Sequence, residues 1–406
     1  MQFENLGLIE PLLRAVRDEG YTEPTAVQTR TIPTILKGQD MLACAQTGTG
    51  KTAAFTLPLM QRLSENKPKD GRPIRALVVS PTRELASQIG DSCEVYGKHL
   101  DLRHVVVTGG VRQSGQVRKL DKGVDILIAT PGRLLDLMNQ GKIKLSRCEM
   151  FVLDEADRML DMGFIDDIRE VIRHLPKDRQ TLMFSATIPR AIQSLAYNIL
   201  TNAEEVRIDP KAPAADTVEQ RVFYVEAKNK QALLEHMLKD DEVTRALVFI
   251  RTKRRADRVC RRLKKAGVQA EAIHSDRSQG ARKKALDEFK SGKTRVLVAS
   301  DVASRGLDVD EISHVINFDL PNEPETYIHR IGRTGRAGSI GQAISFCEME
   351  ERIYLDDIEK LLNESIEPDD EHPFVSHLPR KEESNEPKKP TTSRRAWRRP
   401  MKRRLM

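Results

Sequence analysis

Ala45-Gln46-Thr47-Gly48-Thr49-Gly50-Lys51-Thr52 combines glycines, small hydroxyl residues and one lysine in an order suited to holding phosphate oxygens. Gly48 and Gly50 let backbone N–H groups converge, a following helix adds its positive end, Lys51 neutralises the outer phosphates, and the Thr52 hydroxyl can hold a metal. The general pattern has glycine where Ala45 stands. A glycine-rich turn ahead of a core helix would leave Lys51 and Thr52 unexplained. Downstream, Asp154-Glu155-Ala156-Asp157 follows an apolar run directly. Asp154 would bind a divalent cation, directly or through water, and Glu155 would position and deprotonate an attacking water. Carboxylates also favour helix starts, so this pair gains its meaning from the upstream loop. A third cluster, His329-Arg330-Ile331-Gly332-Arg333-Thr334-Gly335-Arg336, lies far along the chain. Arg333 and Arg336 could neutralise charge on a transferring phosphoryl group, an effect of about 10³ to 10⁵ in rate. Arginines at a helix start are also ordinary surface charges, and composition alone does not choose between the two.

Those residues need a scaffold. Ala76-Leu77-Val78-Val79, Val105-Val106-Val107, Ile126-Leu127-Ile128-Ala129, Met150-Phe151-Val152-Leu153 and Thr181-Leu182-Met183-Phe184 are apolar runs of strand length, separated by amphipathic stretches of helical period. Strands apolar on both faces and alternating with helices predict a parallel α/β sheet, with the carboxylates at the carboxyl end of one strand beside the loop that follows Met41-Leu42-Ala43-Cys44. Asp209 to Thr217 is polar, contains two prolines and has no period, which reads as a linker. Beyond it the alternation resumes. Arg75-Ala76-Leu77-Val78 recurs as Arg245-Ala246-Leu247-Val248, and Leu127-Ile128-Ala129-Thr130 as Leu297-Val298-Ala299-Ser300, both displaced by the same amount. A duplicated domain is the expectation. The second phosphate loop would fall at the linker and Val218-Glu219-Gln220, which lack a glycine-lysine pair, so only the first copy can cradle a triphosphate. The predicted divisions are 1–208, a linker at 209–217, a second domain at 218–367 and a tail at 368–406.

The chain has 406 residues, long for a single ordinary core, and a net charge of +7. From Arg380 onward eleven Lys or Arg face three Glu, a surplus of +8 that leaves residues 1–379 at −1. The basicity therefore belongs to the tail, predicted to be disordered. Such a segment would tether a polyanion by counterion release, with Trp397 able to stack on a base; a solubilising end or an import signal are the alternatives. No apolar run is long enough to span a bilayer, and the start lacks the layout of a signal peptide. The five cysteines have no close pair, which argues against disulfides and zinc. A reducing, cytoplasmic setting without a membrane is expected.

Taken with Gly20-Tyr21-Thr22-Glu23-Pro24-Thr25-Ala26-Val27-Gln28, Pro81-Thr82-Arg83-Glu84-Leu85, Gly109-Gly110, Thr130-Pro131-Gly132-Arg133, Ser185-Ala186-Thr187, Phe249 with Arg251 and Thr252, Gln279 with Arg282, and Asp301 to Asp308, these signatures resemble, in order, those of the DEAD-box ATP-dependent RNA helicases of superfamily 2, most closely the bacterial RhlE-like branch. The resemblance covers nearly all of residues 1–350. It implies two tandem RecA-like parallel-sheet domains binding ATP and Mg²⁺. ATP would meet Tyr21 and Gln28 at the base, preferring adenine to guanine, with Phe3 as the upstream aromatic. Gln46, Thr47, Gly48, Thr49, Gly50, Lys51 and Thr52 would hold the phosphates, and Asp308 the ribose. Mg²⁺ would be held by Thr52 and Asp154. By the same resemblance Lys51, Asp154, Glu155, Arg333 and Arg336 are catalytic. Pro81, Arg83, Gly110, Thr130, Arg133, Arg251, Thr252 and Ser300 would line an RNA groove, while Asp157, Ser185, Thr187 and His329 would couple hydrolysis to strand opening. The groove types offer N–H groups, hydroxyls and cations with few aromatics, which suits a backbone grip rather than a base reader.

Two positions and one stretch depart from the family pattern. Ser300 replaces threonine and keeps the hydroxyl, Ser304 replaces a common alanine, and His274 to Gln279 lacks the usual glycine and apolar residue. The expected activity is RNA-stimulated ATP hydrolysis coupled to local opening of short RNA duplexes by a monomer, with ribosomal precursors or RNA-decay machinery as partners. An ATP-gated RNA clamp or annealing factor is the alternative.

Overall fold

The structure is a computed structural model that describes residues 2–45, 48–66, 68, 71–208, 218–300, 309, 312–335 and 341–376. Gln46, Thr47, the expected linker at 209–217, the motif 301–308 with Asp308, Arg336, and the chain from 377 lie outside the described residues.

In the first lobe the strands are β1 (Met41–Cys44), β2 (Ala76–Val79), β3 (His104–Val107), β4 (Ile126–Ala129), β5 (Met150–Leu153), β6 (Gln180–Ser185) and β7 (Glu204–Arg207). They form one parallel sheet in the order β3-β4-β2-β5-β6-β1-β7. Every residue of β2, β4, β5 and β6 is buried. Helices cover both faces, one core holding Phe55, Leu57, Val78 and Phe184, the other Leu77, Leu127, Phe151 and Met183. Burial of each such side chain contributes about 1.5 to 3 kcal/mol, which is why these runs read as uninterrupted apolar strings. The chain begins on this lobe, with Phe3 and Leu6 in the same core.

The second lobe repeats the plan. Its strands are β8 (Val218–Tyr224), β9 (Ala246–Phe249), β10 (Ala270–Ile273), β11 (Val296–Ala299), β12 (His314–Asn317), β13 (Gly341–Cys347) and β14 (Glu367–Pro368), ordered β10-β11-β9-β12-β13-β8-β14. The repeated sequence strings fall on equivalent strands: β2 and β9 are third in their sheets, β4 and β11 second. Duplication is thus written in both sequence and topology.

Two expectations are corrected. The second copy's loop does not fall at the linker and Val218-Glu219-Gln220. Val218, Glu219 and Gln220 are already in β8, which occupies the sixth place held by β1 in the first sheet, and the loop position after it is Val225 to Asn229. The helix there, Lys230–Met237, starts with a lysine, just as the helix Lys51–Glu65 does after β1. Short apolar matches elsewhere carried one register, and the longer strand β8 shifted this segment away from it. The tail also begins later than 368. Pro368 pairs with Val222, Val375 bridges Val225, and His372 stacks on Phe223 at 5.0 Å, so the chain stays packed on the second lobe as far as Val375.

Candidate ATP site and RNA groove

The carboxyl ends of β1, β5 and β6 bring the first two signatures together. Ala45 continues β1 by donating its N–H to Ser185 O at 3.0 Å. Gly48 and Gly50 have φ of 86° and 87°, a left-handed backbone that a side chain would strain. Lys51 opens the helix, is buried, and donates from Nζ to Ala45 O at 2.8 Å, folding over the loop it is expected to serve. Gln28 is buried in a capping box. Its Oε1 accepts from Thr25 N at 2.9 Å and its Nε2 donates to Gly50 O at 3.2 Å, tying the segment expected to meet the base to the glycine loop. Tyr21 is 46% exposed beside a hollow of about 320 Å³. Phe3 forms one wall of that hollow but is only 3% exposed, so it packs the core and leaves Tyr21 as the accessible aromatic.

Asp154 and Glu155 stand on the end of β5, both buried. Burial pushes Asp154 up to about 7, against the pull of Lys51 and with Glu155 adding repulsion. A buried carboxylate at a strand end suits a hard cation, which would relieve that cost. Burial also acts to raise Glu155, but Arg158, Lys51 and Arg333 together hold it below the usual range. Its carboxylate pairs with Arg158. Glu155 has φ 54° and ψ 54°, and among the described residues the other non-glycine positive φ values belong to asparagines. A glutamate held in that region costs about 1 to 3 kcal/mol, and such strain gathers at functional positions.

Asp157 lies one turn further on. Its Oδ2 accepts from Ala186 N (3.1 Å), Thr187 N (2.8 Å) and Thr187 Oγ1 (3.0 Å), while Ser185 Oγ accepts from Asp157 N at 3.1 Å. The serine-alanine-threonine segment therefore wraps the last carboxylate of the tetrad. From the second lobe, Arg333 is buried, donates from Nε to His329 O at 3.2 Å, and lies close enough to help depress Glu155. His329 is held below its ordinary value, chiefly by burial, with Asp157 opposing and Arg333 and Arg158 assisting. The third signature thus reaches the carboxylate signature across the lobes.

A second cleft lies between the lobes. A hollow of about 320 Å³ is bounded by Pro81, Arg83, Thr130 and Arg133 from the first and by Ser275 and Arg282 from the second. Arg83 lies over Gly110, where an added Cβ would come within 1.9 Å of Nη1. Thr130 and Ser300 are buried at the ends of β4 and β11, and the Thr252 hydroxyl caps the helix Lys253–Lys265 by accepting from Arg255 N at 3.3 Å. Arg251 is divided. It is 38% exposed, yet Nη2 donates to Leu320 O (2.9 Å) and Glu351 Oε1 (2.8 Å), and the guanidinium lies 5.3 Å from the Tyr354 ring.

Two arrangements escaped sequence reasoning. Arg282 Nη2 meets Glu84 Oε2 at 2.9 Å across the lobes, both side chains under 10% exposed, and Gln279 Nε2 donates to Glu84 Oε1 at 3.2 Å. Both partners sat in quoted motifs, but the distance between them in sequence hid the pairing. Lys230, fully buried, reaches Glu351, Glu348 Oε1 (3.4 Å), Asp319 Oδ1 (3.7 Å) and Phe318 O (2.9 Å). In the second copy carboxylates surround the lysine that starts the loop helix, where the first copy would present phosphates.

A profile of the DEAD/DEAH box helicase family matches residues 25–195, and one of the helicase conserved C-terminal domain matches 229–338. An ATP-dependent RNA helicase CshA from Limosilactobacillus reuteri is 43% identical over 363 residues, covering 89% of this chain and 72% of that protein. This chain belongs to the DEAD-box family of ATP-dependent RNA helicases. The relatives carry the name CshA rather than RhlE, so the comparison decides the family and not the branch. Among solved structures, this DEAD-box chain is similar to S. cerevisiae Dbp5 bound to RNA and ADP BeF3, with TM-score 0.80, 32% identity, and coverage of 90% of this chain and 95% of that one. It is likewise similar to Mss116p bound to ssRNA and AMP-PNP, with TM-score 0.81, 30% identity, and coverage of 90% and 77%. Among the described residues no helix is long and apolar enough to cross a membrane.

Proposed function

We propose that this DEAD-box protein hydrolyses ATP when RNA draws its two lobes together, and that closure opens short RNA duplexes locally and without regard to sequence. The observation that carries this reading is Arg333 of the second lobe lying within electrostatic reach of Glu155 on the first. Lys51 and the loop around it hold the triphosphate, and Tyr21 packs on the base. Gln28 reads the base edge while its capping box keeps it in place. Thr52 and Asp154 would hold Mg²⁺, which supplies charge neutralisation on the phosphates when bound. Glu155, kept ionised by Arg158, Lys51 and Arg333, orients water and takes its proton. Arg333 stabilises charge building on the phosphoryl oxygens. RNA enters the hollow bounded by Arg83, Thr130 and Arg133, and Asp157 with Ser185, Thr187 and His329 links that groove to the ATP site.

Phosphate release measured with and without a uridine oligomer, beside displacement of a short RNA duplex, tests this directly. RNA should stimulate turnover, displacement should require ATP, and Glu155→Gln should lower turnover by about 10² to 10⁴ while ATP still binds. Stimulated turnover without displacement would leave a clamp in place of a helicase. Equal stimulation by a DNA strand would remove the RNA preference.

A further inference from the structure

Helix Lys253–Lys265 carries more positive charge than its packing explains. Ala256, Val259, Cys260 and Leu263 form its buried face and pack toward β10 and β11. On the opposite face Arg254, Arg258, Arg261 and Lys265 follow at i, i+4, i+7 and i+11, and all four are exposed. The helical rise makes this a stripe about 16 Å long.

Helix stability runs against the pattern. Lys253, Arg254 and Arg255 occupy the first turn, which has no acidic residue, so three cations face the positive end of the helix dipole. Arg254 with Arg258, and Arg261 with Lys265, are like charges one turn apart. The nearby carboxylates are engaged elsewhere: Asp257 with His274 at 3.1 Å and Arg277 at 2.6 Å, Asp276 with Lys253 at 2.7 Å, and Glu271 with Lys264. Arg261 donates at 3.3 Å to the Asp257 carbonyl of its own helix, which leaves its charge unneutralised. Among the described residues no carboxylate pairs with any of the four stripe cations.

Position supplies the second observation. The helix starts from Thr252, a residue of the proposed RNA track, and the Lys253–Asp276 pair ties its first turn to the residue after Ser275, which lines the cleft. The stripe therefore leads away from the mouth of the groove along the outside of the second lobe.

We infer that Arg254, Arg258, Arg261 and Lys265 form a second RNA contact, taking backbone phosphates of the duplex arm that continues beyond the strand held in the cleft. Four cations on one exposed helix face, with no aromatic beside them, grip phosphate without reading bases. The inference rests on the RNA reading above. The test is kept separate from it by two probes, a short uridine oligomer that fills the cleft alone and a duplex carrying that oligomer as an overhang.

The full-length variant Arg254→Gln, Arg258→Gln, Arg261→Gln, Lys265→Gln keeps helix propensity and removes the like-charge pairs, so its melting temperature should hold or rise. Its affinity for the oligomer and its oligomer-saturated ATPase should match the parent. Affinity for the overhang duplex should fall about tenfold at low salt, and the slope of log affinity against log salt should shrink by about 2 to 3. Unchanged duplex affinity would overturn the inference and leave the stripe to an acidic protein surface. Equal loss on both probes would also overturn it, because the charges would then act within the cleft. A parent protein without RNA-stimulated turnover would instead be the failure of the proposed function.

Discussion

At the scale of single residues, the site works by denying side chains their usual surroundings. Gly110 has φ 77° and lies under Arg83, so Gly110→Ala would meet both a strained backbone and a guanidinium at 1.9 Å. Displacing Arg83 should weaken RNA binding by about 1 to 3 kcal/mol, roughly five- to 150-fold, while ATP affinity without RNA holds. Titration of the oligomer and of a fluorescent ATP analogue separates the two. His329 offers a pH test. Its pKa is depressed where the second lobe meets Asp157, chiefly by burial, so the contact is fully present above the ordinary histidine value and is lost progressively as pH falls from there towards the depressed one. RNA-stimulated turnover should therefore decline below about pH 6.5, and His329→Gln should remove that part of the decline. A variant profile superimposable on the parent's would exclude His329 as the titrating group.

At the scale of elements, the two loop helices show one scaffold carrying opposite chemistry. Lys51 is left with a backbone carbonyl partner that a ligand could replace, whereas Lys230 is surrounded by Asp319, Glu348 and Glu351. Burial raises the Glu351 pKa and Lys230 opposes it, so the pair depends on the ammonium remaining in place. Lys230→Met leaves buried carboxylates without their cation and should destabilise the second lobe by about 3 to 5 kcal/mol. Urea unfolding of the variant measures this. A change below 1 kcal/mol would mean that the acidic group finds water or a solution cation on its own. Apolar strings such as Ala246–Phe249 made the duplicated strands readable. Lys230 was not readable as the counterpart of Lys51, because β8 is longer than β1 and the loop glycines are absent.

For the whole molecule, the proposed function lies in the distance between lobes. If ATP and RNA each favour closure, as proposed, each must raise the other's affinity by the same factor. The Glu84–Arg282 pair, with Gln279, is a protein contact that contributes to the same closure. Burial lowers the Arg282 pKa and Glu84 opposes it, which marks a desolvated ion pair between the lobes. Glu84→Ala should reduce the ATP–RNA coupling factor by about tenfold, with little change in ATP affinity alone. A Glu84→Ala, Arg282→Ala double variant should recover part of the loss, because no unpaired cation is then buried. Full additivity of the two single effects would show that they do not act through each other.

The sequence alone determined the parts that depend on local order: strands apolar on both faces, glycines where φ is positive, a lysine and threonine opening a helix, and carboxylates at a strand end. Each is set by residues adjacent along the chain, so spacing is enough to reveal it. Only the tertiary structure decided which distant charges share a dielectric environment. Arg333 beside Glu155, Arg282 on Glu84, Lys230 among three carboxylates and the closing segment up to Val375 on the second lobe all depend on how the sheets and lobes pack. Electrostatic partnership falls off with distance in space, and a chain folded into two sheets makes that distance unreadable from residue number.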